Sequence, residues 1–165
     1  MKKTVIQVLA VLWLAALLRL TVFRDGCFSH GLFSGRIEWD AFAYYAKLAR
    51  VGNWRYFTYL FVGNLVWFAP VGVLVSAGRG TRPLRKRADG RVPSLLWAAL
   101  LGFLLSLGIE SMQYVLGSGV SELDDLILNT LGAVLGWGIA WIFHKLCKNM
   151  KSSIDKKPQD IDNRR

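Results

Sequence analysis

Four long apolar stretches divide the chain, at residues 4–23 (TVIQVLAVLWLAALLRLTVF), 56–75 (YFTYLFVGNLVWFAPVGVLV), 94–116 (SLLWAALLGFLLSLGIESMQYVL) and 126–143 (LILNTLGAVLGWGIAWIF). Each is close to the ~20 residues that cross a hydrocarbon core of ~30 Å as a helix. In lipid the backbone must satisfy its own hydrogen bonds, so a lone apolar run crosses as a helix. The pattern predicts an all-α membrane protein, a bundle of four transmembrane helices. The opening Met-Lys-Lys before an apolar run also begins secretory signals. This run exceeds their usual ~7 to 15 apolar residues, and no small-x-small cleavage site precedes Arg19, so a retained helix is expected.

Between the first two runs, EWDAFAYYAKLARVGNW sets Trp39, Phe42, Ala43, Ala46 and Ala49 or Arg50 at helical spacing, with charges opposite. That pattern fits a short helix lying at the membrane interface, with an irregular loop carrying interfacial aromatic residues as the alternative. GRGTRPLRKRADGRVP (78–93) reads as a turn-rich basic linker and SSIDKKPQDIDNRR as a disordered tail. The expected organisation is one transmembrane domain over residues 1–150 and a disordered basic tail over 151–165.

Composition agrees with this class: 53% of residues are hydrophobic, with seven Trp and a net charge of +10. The basic residues concentrate in three places that four spans put on one side: Lys2 and Lys3, the linker from Arg79 to Arg91, and the tail beyond Phe143. The third connection, GSGVSELDD, has none. The positive-inside rule then places both termini in the cytoplasm of a cell-membrane protein and the first and third connections outside. Read this way, the basic excess is a topology signal and a contact for anionic membrane lipids. No nucleic-acid partner is expected, because the charges flank spans and no recognition fold accompanies them. Cys27 and Cys147 fall on opposite sides, as do His30 and His144, so no disulfide, metal site or cofactor is expected.

Topology gives the polar residues inside the spans one depth. Arg19 lies near the outer end of span one, Asn64 in the outer half of span two, Glu110 and Gln113 in the last two turns of span three, and Asp124, Asp125 and Asn129 at the start of span four. Gly102, Ser106, Glu110 and Gln113 follow spacings of four, four and three, which share one helix face. Asp125, Asn129, Gly132 and Gly136 share another. Small residues let membrane helices approach closely, and ionisable groups in the bilayer, costing on the order of 3 kcal/mol at its centre, face a bundle interior or a wet cavity. The two faces predict a polar pocket opening outward, lined by Arg19, Asn64, Glu110, Gln113, Asp125 and Asn129, above packing positions at Gly102, Ser106, Gly132 and Gly136.

Plainer readings stand beside these. Arg19 could snorkel to the headgroups; Asp124, with Glu122, fits helix-entry capping; Pro70 and Gly72 fit a bend or a close approach in span two. Glu110, ~9 Å of helix rise inside the end of its span, is too short to snorkel far and needs a partner or a proton.

Three pieces of this sequence resemble the VanZ-like membrane proteins, a family named for a teicoplanin-resistance protein. NLVWFAPVG (64–72) is similar to its N-x-x-x-F-x-P-x-G element, SLGIESMQ (106–113) to its S-x-x-I-E-x-x-Q element, and DDLILNTLGAVLGW (124–137) to its D-D-x-x-x-N-x-x-G-x-x-x-G element. The chain departs where that family often has an Arg and an aromatic residue ahead of the acidic turn, here GSGVSE, and where Glu122 replaces the usual Asp. Arg19 could supply the missing counter-ion from span one. The resemblance implies a small polytopic membrane protein with a possible tie to glycopeptide resistance. The leading expectation is a non-enzymatic envelope protein that binds a lipid-linked cell-wall precursor, a glycopeptide antibiotic or another lipophilic envelope molecule. The rival is an intramembrane enzyme in which paired carboxylates serve as acid and base or hold a divalent cation.

Overall fold

A computed structural model describes residues 2–23, 31–79 and 94–156. The elements are α1 (Lys2–Thr21), β1 (Arg36–Glu38), α2 (Ala43–Arg50), α3 (Trp54–Arg79), α4 (Ser94–Leu116), β2 (Val120–Glu122) and α5 (Leu123–Lys156). α1, α3, α4 and α5 are long and apolar enough to cross a membrane, and the chain is a multi-pass membrane protein built as a four-helix bundle. The short helix expected in the first connection is α2. Cys27, His30, most of the basic linker and residues 157–165 of the tail lie outside the described residues.

Two differences from the sequence pattern stand out. α5 begins at Leu123 and continues to Lys156, so it takes in residues 151–156 of the segment expected to be disordered. Leu, Met and Lys propagate a helix readily, so the helix outlasts its apolar part. The second difference is a parallel pairing of β1 with β2, in the register Arg36 to Val120, Ile37 to Ser121 and Glu38 to Glu122.

α5 is the central helix. Against α3, Gly132 faces the backbone of Leu65 and Gly136 that of Ala69, while Gly72 of α3 faces the backbone of Ala133 and Trp137. The rising register makes α3 and α5 parallel, as alternating spans require. Against α4 the register falls: Glu122 N–H donates to Glu110 Oε2 at 3.0 Å, Asn129 Nδ2 to Ser106 Oγ at 2.9 Å, and Trp137 Nε1 to Ser94 Oγ at 3.0 Å, with Gly102 against Ala133 between them. α4 buries Ser94, Ala98, Gly102, Ser106, Ile109, Glu110 and Gln113, one face at spacings of four and three.

α1 is peripheral. Leu17 and Val22 enter a core with Phe68, Val71, Ile109 and Ala133, and Trp13 Nε1 donates to the Trp67 carbonyl at 3.1 Å. Pro70 has no N–H to offer the preceding turn of α3, so this indole bond lies beside the interruption. The first half of α1 stands off, leaving an apolar groove of about 440 Å³ against α3.

α4 stops where Gly117 turns left-handed, at φ 58°, a conformation that costs glycine no steric strain. Residues 31–38 then run across the open end of α4. Phe33 N–H donates to the Val115 carbonyl at 2.7 Å and Gly35 N–H to that of Tyr114 at 3.1 Å, which satisfies carbonyls that a helix C-terminus leaves without donors. This strap delivers β1 to β2 and carries the chain on to α2.

The glycine contacts differ sharply in tolerance. A Cβ at Gly136 would press on the Ala69 backbone and one at Gly132 would lie 2.5 Å from the Leu65 carbonyl oxygen, whereas at Gly63 and Gly108 it would meet nothing within 4 Å. Gly136→Ala and Gly132→Ala are expected to cost about 1–3 kcal/mol through forced helix separation. Gly63→Ala and Gly108→Ala should be neutral or gain up to ~1 kcal/mol of helix propensity. Thermal unfolding of the four variants in one detergent measures the contrast.

Candidate functional site

The C-terminal ends of α1 and α4 and the N-terminal ends of α3 and α5 meet at one end of the bundle, which we call the acidic pole. Glu110 reaches it from α4, 8% exposed. Its Oε2 accepts from the Glu122 N–H, and its backbone carbonyl accepts from Ser121 Oγ at 2.7 Å. β2 is thereby clamped to α4, and α5 starts directly above Glu110.

Asp124 and Asp125 open α5. Asp124 is buried, and its carboxylate takes backbone N–H groups of that first turn, the capping role expected of it. Asp125 faces α3, where Asn64 Nδ2 donates to its Oδ1. Glu110 and Asp125 lie within electrostatic reach of each other. Glu122, Asp124 and Asp125 each bring one oxygen to within 4.8 Å of the others, a set of hard oxygen donors of the kind a divalent cation takes.

The remaining expected residues are dispersed around this pair. Asn129 sits one turn deeper and is 4% exposed, giving its Nδ2 to Ser106. Gln113 turns toward α1, where its Nε2 donates to the Thr21 carbonyl at 3.2 Å. Among the described residues, the buried Oδ1 of Asn129 and Oε1 of Gln113 have no hydrogen-bond donor. Arg19 is exposed near the C-terminal end of α1. It lies on the exposed side of α1 and donates to the Phe23 carbonyl at the end of its own helix, which is the snorkelling geometry. The packing residues Gly102, Ser106, Gly132 and Gly136 are all buried in the α5 seams.

Tyr45 completes the pole, a residue to which the sequence pattern does not point. The helical pattern of the first connection drew attention to Trp39, Phe42 and Ala46, and the structure leaves all three exposed. The face of α2 that packs on the bundle is Tyr45 and Leu48, 4% and 6% exposed. Tyr45 lies edge-on to Phe57 and Phe61 of α3, with centroids at 5.4 and 6.0 Å, and its hydroxyl meets the Asn64 side chain. Only the spacing of Tyr45 and Leu48, three residues apart, hinted at this face, and the richer aromatic pattern beside it masked the hint.

A groove of about 260 Å³ opens beside Glu110 between α4, the start of α5 and the paired strands. Leu107, Tyr114 and Leu126 form its apolar wall, and Glu38, Glu110 and Glu122 its polar end. Of the six residues expected to line a pocket, Glu110 lines this groove; Asp125, Asn64 and Asn129 stand behind it. A family model described as VanZ/LLP1 matches residues 5–144 of the chain. Comparison with curated proteins and with solved structures gives no match.

Burial pushes the Tyr45 hydroxyl above its ordinary value of 10.0, and the Asp125, Asp124 and Glu122 carboxylates push the same way, against the Asn64 hydrogen bond. The folded state therefore favours the neutral phenol. Its contribution to stability is whole below pH ~10 and is lost as pH rises from there toward the higher folded-state value. The thermal stability of the solubilised chain should fall more steeply from pH 9 to pH 11 than that of Tyr45→Phe. Parallel profiles would place the hydroxyl outside this carboxylate environment.

Proposed function

The chain belongs to the VanZ/LLP1 family, and on that premise we propose that it binds a lipid-linked or lipophilic molecule of the cell envelope at the acidic pole. The observation that carries this reading is the groove itself: apolar helix sides meet a buried carboxylate, Glu110, in a membrane-spanning segment. Pockets for amphiphiles combine largely apolar walls with a few placed polar groups. An ionisable residue held within a span marks a functional site more often than a structural one. Glu110 is the direct polar contact, and Asp125 and Asn129 hold the helix ends that shape it.

The same reading sets the acidic pole on the outer side of the cell membrane and both termini in the cytoplasm, supported by the basic residues that flank the opposite helix ends. An outward groove is where an envelope precursor or a glycopeptide such as teicoplanin would be met, and a change in glycopeptide susceptibility is the expected phenotype. Glu110→Gln, which keeps shape and removes charge, should weaken ligand retention in a lipid-shift assay by about tenfold or more, the scale of a lost charge-assisted hydrogen bond, and Asp125→Asn should weaken it less, through the helix end that shapes the site. If both variants kept full binding and an unchanged resistance phenotype, the site would lie elsewhere.

A second reading, an intramembrane enzyme acting on an envelope lipid, draws on the convergence of the Glu122, Asp124 and Asp125 oxygens. Carboxylates that hold a divalent cation beside an apolar groove could polarise a lipid ester or phosphate. Metal-dependent turnover of a purified lipid, lost in Glu110→Ala, would put this reading ahead.

A further inference from the structure

The corner between α2 and α3 presents a charged surface that the groove does not use. Lys47 and Arg50 of α2 and Arg55 of α3 are exposed, and no ion pair or hydrogen bond holds their side chains among the described residues. From Ala41 to Arg79 the chain has no Asp or Glu to pair with them. The acids at this end of the bundle belong to other elements, where Glu110 and Asp124 are buried; the exposed Glu38 and Asp40 precede α2.

Beside these cations lies a row of phenols. Tyr44, Lys47 and Val51 follow spacings of three and four and share one flank of α2. On that flank Tyr44 meets Tyr56 of α3 edge-on, with ring centroids at 6.5 Å, and Tyr56 stacks on Tyr59 at 6.2 Å. All three tyrosines are exposed, and their hydroxyls have no hydrogen-bond partner among the described residues. Lys47 therefore borders a set of O–H donors, and Arg50 lies one turn further along α2.

The contacts of α2 set its depth. Tyr45 packs on Phe57 and Phe61, so α2 lies beside the first turns of a helix long and apolar enough to cross a membrane from Trp54 onward. Trp and Tyr settle at the level of the lipid headgroups, and the exposed Trp54, Tyr56 and Tyr59 mark that level on α3. Lys47 and Arg50 reach the same layer, where long basic side chains keep their stems on apolar surface and their charges among the headgroups. Phosphate matches what the corner offers. It accepts from ammonium, guanidinium and phenol donors alike and brings the negative charge that this surface lacks.

We propose that the corner between α2 and α3 is a docking surface for an anionic phospholipid of the leaflet at the acidic pole, its phosphate held by Lys47 and Arg50 with Tyr44 and Tyr56 donating beside them. The site is separate from the groove at Glu110 and does not depend on what the groove binds. It also lies at the opposite end of the spans from the basic linker and tail. A zwitterionic choline head carries the same phosphate with a cation attached, and Lys47 and Arg50 repel that cation.

The test uses the full chain in maltoside micelles at low salt, with bound lipid read by native mass spectrometry. The probes are phosphatidylglycerol and phosphatidylcholine with identical chains. The glycerol lipid is expected to bind at least about tenfold more tightly than the choline lipid. Lys47→Gln combined with Arg50→Gln should weaken glycerol-lipid binding by about tenfold or more, at about fivefold for each basic residue beside an anionic lipid surface. Lys47→Arg combined with Arg50→Lys, which keeps both charges, should retain the preference, and Tyr44→Phe combined with Tyr56→Phe should weaken it by about threefold or more. Unchanged glycerol-lipid binding in the glutamine pair would overturn the proposal, and the corner would then face water or another protein. Loss of that binding in Lys145→Gln combined with Lys148→Gln on α5, with the α2 pair silent, would assign the lipid to the other end of the bundle. An equal loss of both lipids in the α2 glutamine pair would also overturn the proposal, since the corner would then anchor lipid without selecting its charge.

Discussion

Everything at the acidic pole depends on how closely α5 lies against α3. Lipid surrounds these helices, so association draws little on the hydrophobic effect and rests on packing and on hydrogen bonds between helices. Gly132 and Gly136 bring α5 onto the α3 backbone, and Gly72 returns the contact from α3. Backbone against backbone permits one register. That register sets Asn64 beside Asp125 and turns Asn129 toward α4, where Ser106 receives it.

The polar groups above this seam are then held from three directions. β2 fixes Glu110 through the Glu122 N–H and the Ser121 hydroxyl. α2 lays Tyr45 over Asn64 and an aromatic cluster of α3. The strap at residues 33–35 ties the first connection to the end of α4. A carboxyl held within a span is costly unless it faces partners or a cavity, and Glu110 has both: a backbone donor on one oxygen and a groove alongside. Neighbouring elements supply the hydrogen bonds of the polar end, and the groove beside it is lined by Leu107 and Leu126.

The four spans and the two polar faces were legible because each is a local periodicity. A helix of ~20 apolar residues needs no partner to declare itself in lipid, and Gly102, Ser106, Glu110 and Gln113 share a side of α4 by helix geometry alone. Tyr45 was not legible, since its burial follows from where α2 lands on α3, a choice between two faces that both carry aromatic residues. Nor was the placement of Arg19. A long side chain near a helix end can turn to a pocket or to its own last carbonyls, and the rotation of α1 on the bundle decides which.

What the sequence by itself determined, then, is the membrane class, the number of crossings, the depth of the polar residues and the face each occupies, because all of these follow from composition and from a period of 3.6 residues. Tertiary structure alone decided that β1 would pair with β2 and that Glu110 would border a groove while Asp125 stood behind it. Those outcomes depend on contacts between residues distant in the chain, such as Ser121 with Glu110 and Glu38 with Glu122. No local pattern records them.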